Sequence, residues 1–414
     1  DLVTLAQYHA NANATNRSKL NQILVTEFSL SVAPTENHEI LTRLPIQTYW
    51  TTNYDKLIEN ALERNGKVPD VKYTNKQLAT TRPKRDAVVY KMHGDVDHSS
   101  EAVLIRDDYE RYHVKMQPFI TALSGDLIAK TFLFLGFSFT DPNLEYILSR
   151  VRIQFAQDQR QHYCILRKAS RLEGEDLAEF EYRQRKEDLF KHELLRVGIK
   201  AVYVDEFSEI TDILREIERR HKRKTIFISG AAHDYSPWTK SEAEQFVYRL
   251  SKAISKAQYR VISGFGLGVG SAVISGALYE IYHKQKKSLT DQLILRPFPQ
   301  GDDAKEMWEI YRQDMISYSG ISIFLLGNKK EGETTVLSNG MRSEYEISKK
   351  QGNFLIPIGR TGYISEVLWN ELLKEKQDDH TFDIYRHDIV SLGDNTKALD
   401  EVIEIVIELI KKVK

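Results

Sequence analysis

The sequence predicts an α/β protein of two domains in series, each a doubly wound parallel sheet covered by helices. Three observations predict it. Strand-like and helix-like segments alternate from about Glu39 to Tyr203, and a second alternating series runs from Thr225 onward. That alternation is the pattern of a parallel sheet with helical crossovers. In both series, apolar strand-like runs end in glycine, amide, hydroxyl or imidazole residues, and ligands bind at the C-terminal edge of such sheets. Between the series lies a basic cluster, Arg219-Arg220-His221-Lys222-Arg223-Lys224, at the end of a helix-like segment.

The elements follow in order. Residues 1 to about 36 are polar and irregular in pattern. Strands are expected at 46–50, 87–91, 131–136, 161–166 and 198–204, and helices at 55–64, 113–129, 142–156 and 173–195. A further helix from Glu206 carries the basic cluster, which reads as a solvated end complementing the helix dipole. The domain boundary is placed there, giving domains 1–222 and 223–414. The second series has strands at 225–229, 259–263, 292–296, 320–326 and 353–358. Its helices are expected at 240–256, 271–284, 303–317, 342–350, 364–375 and 397–413. Both domains are therefore expected to be Rossmann-like.

Bulk properties narrow the function. The chain has 414 residues, 41% hydrophobic and 28% charged, with a formal net charge of −1. Non-specific binding to nucleic acid or to an anionic membrane needs a basic excess, so neither partner is expected. No apolar run approaches the ~20 residues that span a bilayer, and a cytoplasmic protein is expected. The lone cysteine, Cys164, sits in a strand-like run and reads as a buried core thiol. One cysteine makes neither an internal disulfide nor a cysteine-rich zinc site, so no metal is expected.

Three strand ends in the first domain carry candidate chemistry. One delivers Thr51-Thr52-Asn53-Tyr54-Asp55, a second Lys91-Met92-His93-Gly94-Asp95, and a third Gly136-Phe137-Ser138-Phe139-Thr140-Asp141. Asp55 is equally readable as the N-cap of the next helix, and His93 as a satisfied loop histidine. Gly136 either ends a strand or lets backbone approach a ribose or phosphate. The shared sheet edge favours a nucleotide-handling site.

Together these segments resemble the sirtuin-like domain, over roughly residues 1–205. Thr-Thr-Asn-Tyr-Asp resembles that family's strand-end motif, His93-Gly94 its catalytic His-Gly, and Gly136-Phe137-Ser138 its later nucleotide loop. The resemblance implies that NAD+ is the substrate and that its nicotinamide–ribose bond is cleaved. It implies Asn53 and His93 as catalytic residues, and Thr52, Asp55, Gly136, Ser138 and Asp141 around the substrate. The family's first Gly-Ala-Gly phosphate loop has no counterpart within residues 1–414. Sirtuin deacylases also carry a four-cysteine zinc module that one cysteine cannot supply. That favours hydrolysis of NAD+ itself over deacylation, with NAD+ as substrate and no resident cofactor.

The second domain contains Gly264-Phe265-Gly266-Leu267-Gly268-Val269-Gly270-Ser271 between a strand and a helix. It is neither a strict G-x-G-x-x-G nor a P-loop, yet it places backbone N–H groups at a helix N-terminus, a ready anion site. Arg312, Asn328-Lys329-Lys330 and Asn339-Gly340-Met341-Arg342-Ser343-Glu344 are expected near the same edge. Each is a solvated surface charge if taken alone. This half resembles the SLOG family of nucleotide-sensing domains, through Ser229-Gly230-Ala231, the glycine loop and the Gly-x-x-x-Glu of Gly340 to Glu344. Those relatives that hydrolyse nucleotides carry Pro-Gly-Gly-x-Gly-Thr where this chain has Leu326-Gly327-Asn328-Lys329, so a binding role is expected.

A sirtuin-like domain followed directly by a SLOG domain resembles the effector family of the Thoeris anti-phage systems. The resemblance implies an NADase switched on by a cyclic ADP-ribose isomer that a TIR-domain protein makes. It implies a homo-oligomer, tetrameric or filamentous. It also implies signal binding by Gly230, Gly266, Gly268, Ser271, Arg312, Lys329 and Glu344. A nucleotide sensor with an inactive first domain, and a sirtuin-type deacylase, are the alternatives.

Overall fold

The computed structural model describes residues 2–30, 32–155, 158–283, 292–299 and 304–413. It divides into two compact units, Asp1–Glu216 and Ile217–Lys414, with the division inside one helix, Ser208–Lys222. The expected helix ends at 156, 284 and 303 fall outside the described residues.

In the first unit, β1 (Thr48–Thr51), β2 (Pro69–Lys72) and β3 (Ala87–Lys91) form a parallel sheet in the order β1-β3-β2. A second parallel sheet, ordered β4-β5-β6, comprises β4 (Leu133–Phe134), β5 (His162–Arg167) and β6 (Ile199–Val204). Side chains tie β1 to the helix end that leads into β4: Lys130 Nζ donates to Thr48 Oγ1 at 2.8 Å, and Trp50 Nε1 to Asp126 Oδ2 at 2.9 Å. Cys164 lies at the core with Leu123, Leu127, Ile147 and Ile199, and burial pushes its thiol up to about 11.

Several elements depart from the sequence pattern, each for a local reason. β2 was not expected because its apolar pattern is broken by two buried charges. Lys72 Nζ lies 2.8 Å from Asp70 Oδ1, and Arg85 holds the other oxygen at 2.8 Å. The single helix expected at 113–129 is two, α6 (Arg106–Lys115) and α7 (Gln117–Ala129). Pro118 lacks an N–H and its ring fits only a helix's first turn, so α7 must start afresh there. Residues 2–12 and 18–28, irregular by pattern, form α1 and α2. Each buries a single residue, Ala10 and Leu24, so little periodicity marks them. The other helices of this unit are α3 (Glu36–Arg43), α4 (Leu57–Arg64), α5 (Asn75–Leu78), α8 (Pro142–Phe155), α9 (Leu177–Arg196) and, spanning the division, α10 (Ser208–Lys222).

The second unit is one five-stranded parallel sheet. Its strands are β7 (Thr225–Ala231), β8 (Arg260–Ser263), β9 (Leu293–Leu295), β10 (Ile321–Leu326) and β13 (Phe354–Pro357). Their order is β13-β10-β7-β8-β9, so the chain reverses direction across the sheet between β7 and β10. Alternate residues of β7 point to opposite faces. Ile226 and Ile228 join a cluster with Phe246, Val273 and Val406, while Phe227 packs with Met315, Ile316 and Ile347. A sheet buried on both faces needs helices on both, which is the doubly wound arrangement.

Those helices are α11 (Lys240–Lys256), α12 (Gly270–His283), α13 (Trp308–Ser317), α14 (Asn339–Lys350), α15 (Tyr363–Glu375), α16 (Asp383–Ser391) and α17 (Leu399–Val413). A capping box starts α11: Thr239 Oγ1 accepts the Glu242 N–H, and Glu242 Oε2 accepts the Thr239 N–H at 2.8 Å. An exposed antiparallel hairpin, β11 (Asn328–Glu331) with β12 (Thr334–Leu337), leaves the end of β10. It was not expected, because its residues are mostly polar and solvated. No helix among the described residues is long and apolar enough to cross a membrane.

Candidate active site and nucleotide pocket

The first candidate site grows out of strand register. β1 and β3 pair in parallel with Thr51 opposite Lys91, and the Met92 N–H donates to Thr51 O at 2.9 Å. Neighbouring strands lie ~4.8 Å apart, so Thr52-Asn53 and Met92-His93 leave the sheet side by side. The turn after His93 needs glycine. Gly94 has φ +95, and a Cβ there would stand 3.0 Å from the Ala102 Cα.

The sequence reading gave Lys91 no role, yet it joins the two turns. It is fully buried and donates to Tyr54 O at 3.0 Å, Asp55 O at 2.6 Å and Asp95 Oδ2 at 2.6 Å. Glu59 Oε1 lies 3.1 Å from the same ammonium. Burial raises the Glu59 carboxyl and Lys91 opposes the rise, with burial the larger effect. The available signal was a lysine closing an apolar strand, Ala-Val-Val-Tyr-Lys, where an unpaired charge would be expensive.

His93 is 5% exposed. Tyr109 and Tyr112 meet its ring edge-on, with centroids 5.3 Å and 6.4 Å away. Its Nε2 stands 2.9 Å from Asp141 Oδ2, close but off the line of a well-formed hydrogen bond. Among the described residues, Nδ1 has no hydrogen-bond partner. Asp141 also caps α8: its Oδ1 accepts the N–H groups of Asn143 at 2.9 Å and Leu144 at 3.0 Å. Burial lifts the Asp141 carboxyl, but His93 and those two N–H groups together hold it below its ordinary value.

The other expected residues of this unit are placed as follows. Asn53 is exposed and its backbone N–H donates to Thr51 Oγ1 at 3.0 Å. Thr52 is half-buried beside it. Asp55 Oδ1 accepts the Leu57 N–H at 3.0 Å, a two-residue turn just ahead of α4, whose N-cap is Lys56. Gly136 and Ser138 lie exposed between β4 and α8, and Ser138 Oγ pairs with Thr140 Oγ1 at 2.8 Å. A cavity of about 380 Å³ opens against Asp55, walled by Phe28, Asn60 and Asp97 among others. Its lining does not reach His93 or Asn53.

The second candidate site lies where the second unit's sheet reverses, at the C-terminal ends of β7 and β8 and between the helices that flank β10. A cavity of about 720 Å³ is lined there by Gly230, Gly266, Gly268, Ser271, Arg312 and Glu344, six of the seven expected signal-binding residues. Lys329 is not among them; it stands on the β11 hairpin. The glycines are dictated by close approach. A Cβ on Gly266 would meet Gly230 O at 1.9 Å, and one on Gly268, where φ is +75, would meet Ala232 O at 2.1 Å. The loop delivers the N-terminus of α12 to the cavity, where the positive end of the helix dipole favours anions.

Charge and aromatic surface face each other across this pocket. Ser229 Oγ donates to Glu344 Oε2 at 2.5 Å, and Arg312 Nε lies 3.7 Å from Glu344 Oε1. Burial raises the Glu344 carboxyl, opposed by Ser229 and Arg312. The Arg312 guanidinium sits 5.1 Å from the Phe298 ring centre and 5.8 Å from that of Trp308. Both rings line the cavity. The sequence reading missed them because a lone aromatic in a loop, Phe298, and one at the first position of a helix, Trp308, carry no spacing signal.

Comparison with known proteins matches both halves. A SIR2-like domain family covers residues 47–191, and the Sir2- and TIR-associating SLOG family covers residues 209–413. The chain is 57% identical over 375 residues to a protein of Bacillus cereus (strain MSX-D12) named NAD(+) hydrolase ThsA, covering 91% of this chain and 79% of that one. A protein of the same name from Enterococcus faecium is 45% identical over 424 residues, covering 100% of this chain and 88% of that one. Another, from Acinetobacter baumannii (strain 532279), is 43% identical over 423 residues, covering 100% and 86%.

Proposed function

The chain belongs to the ThsA family of NAD(+) hydrolases, and we propose how its two units divide the work. The first cleaves NAD+ to nicotinamide and ADP-ribose. The second binds a cyclic ADP-ribose isomer and thereby releases that activity. The observation that carries the first half is the adjacency of two turns: Asn53 and His93 leave register-paired positions of neighbouring strands, pinned together by Lys91.

Nicotinamide leaves a cationic substrate as a neutral base, so its departure builds oxocarbenium character on the ribose. Water then adds to the anomeric carbon and loses a proton. A neutral imidazole at His93 takes that proton, directly or from a ribose hydroxyl. Asn53, exposed at the same edge, orients the water or the hydroxyl. Thr52, Asp55, Gly136 and Ser138 surround the substrate. Asp141 stands beside His93.

In the second unit, the glycine loop and the N-terminus of α12 receive the signal's diphosphate. Arg312 adds a fixed cation and Glu344 accepts from hydroxyl or amine groups. Phe298 and Trp308 offer a face for the base. The signal comes from a TIR-domain protein, and the working form is a homo-tetramer or filament. A ligand switches an enzyme only if it binds the active state more tightly than the resting one. The burial of His93 fits a resting state.

The test is nicotinamide release from NAD+ by the full chain, with and without cyclic ADP-ribose isomers. His93→Ala should lower release by ~10²–10⁴-fold, the worth of a positioned base. Arg312→Ala should lose the response to the signal. Signal binding with no release under any condition would favour the inactive-sensor alternative. Release that depends on an acyl-lysine peptide would favour the deacylase.

A further inference from the structure

We propose that Asp141 is the positioning residue of His93: its carboxylate holds Nε2 and leaves Nδ1 as the nitrogen that accepts the proton. The proposal rests on the reading that the first unit cleaves NAD+. It changes the part Asp141 plays there, from a contact on the substrate to a support behind the base.

The geometry is specific. The two oxygens of Asp141 have separate tasks. Oδ1 is taken by the Asn143 and Leu144 N–H groups at 2.9 and 3.0 Å, so the first turn of α8 fixes the carboxylate plane. Oδ2 lies 2.9 Å from His93 Nε2, within ion-pair distance though off the line of a well-formed hydrogen bond. Both side chains are nearly shut off from water, at 9% and 6% exposure, so the contact is little screened. Tyr109 and Tyr112 stand edge-on to the ring and limit its rotation. Among the described residues neither ring nitrogen makes a well-formed hydrogen bond; Nε2 has the Asp141 carboxylate at 2.9 Å and Nδ1 has no charged neighbour in contact.

The chemistry follows from how a neutral imidazole distributes one proton. An ionised carboxylate accepts only, so the ring nitrogen facing it must carry the N–H. The other nitrogen then presents its lone pair. When His93 takes a proton during turnover, the adjacent anion stabilises the imidazolium that forms. An amide in place of the carboxylate reverses this. Its NH₂ group donates to Nε2, the ring proton moves to Nδ1, and the base is blocked.

Asp141→Asn separates this role from the helix cap, because asparagine caps as well as aspartate. The variant should melt at the wild-type temperature. Its signal-stimulated nicotinamide release should fall in kcat by on the order of 10²–10⁴-fold, with KM for NAD+ within about threefold of wild type. Asp141→Ala, which removes cap and carboxylate together, should also melt lower. Wild-type kcat in Asp141→Asn, or a loss carried by KM alone, would overturn the proposal. A readout independent of turnover is the ¹⁵N chemical shift of the neutral His93 ring. The proton should sit on Nε2 in wild type and on Nδ1 in Asp141→Asn. A wild-type ring protonated on Nδ1 would overturn the proposal, whereas wild-type protein that releases no nicotinamide would sink only the reading it rests on.

Discussion

Replacing Lys91 by Met tests whether the turns bearing Asn53 and His93 are held by one buried ammonium. The substitution keeps an unbranched side chain, one atom shorter, and removes its charge. Lys91 faces Asp95 at 2.6 Å and Glu59 at 3.1 Å. At an effective dielectric of about 20, these contacts are worth ~6 and ~5 kcal/mol before desolvation. Most of that gain is offset by taking the charges out of water. Removing one partner of a buried pair nets ~3–5 kcal/mol, because the other charge stays behind unpaired. The carbonyls of Tyr54 and Asp55 also lose their donor, at ~1–3 kcal/mol each where no water replaces it. Glu59 relieves part of this by taking up a proton, which its burial already favours. The expected loss is about 4 kcal/mol in the first unit. Hydrogen exchange across residues 48–55 and 87–95, followed as urea is raised, reads the loss locally. Nicotinamide release should vanish with it. A loss below about 1 kcal/mol, or full release from Lys91→Met, would show that other contacts hold these turns.

Three further outcomes are expected. Gly266→Ala forces a Cβ to within 1.9 Å of Gly230 O; backbone must move, so urea melts should show a loss of at least ~1–3 kcal/mol and calorimetry a loss of signal binding. Asp70 is held below its ordinary 3.8 because Lys72 and Arg85 together outweigh its burial. Its contribution to stability is therefore whole above that value and fades as pH falls through the lower folded one. Acid titration of Asp70→Asn should show a shallower loss over that window than wild type. Thr239→Ala removes one half of the α11 capping box and should lower the second unit's stability by ~1 kcal/mol in urea.

Much of the fold was legible because parallel strands buried on both faces read as short apolar runs. Ile226 to Ile228 and Ile321 to Leu326 are of that kind. β2 was hidden because its charges pair inside the protein, and periodicity counts Asp70 and Lys72 as solvent-facing. α1 and α2 were hidden for the opposite reason: they bury so little that no stripe forms. The edge carrying Asn53 and His93 could be read from where apolar runs stop. What each side chain touches there could not. Asp141 follows a different strand, and only the folded chain brings it to His93. Lys329 was expected among the signal contacts from its place after β10, but the β11–β12 hairpin carries it onto a separate two-stranded sheet.

The pocket at the sheet reversal draws its walls from opposite directions of winding. Gly230, Gly266 and Ser271 come from the β7–β8 side, Arg312 and Glu344 from helices flanking β10. A mononucleotide seated against one wall leaves the other hydrated and contributes nothing there. Under the signal reading proposed above, a ring with two ribose units and two phosphates would touch both walls, and discrimination among nucleotides would come from reach across the crevice with no single contact having to be unusually strong.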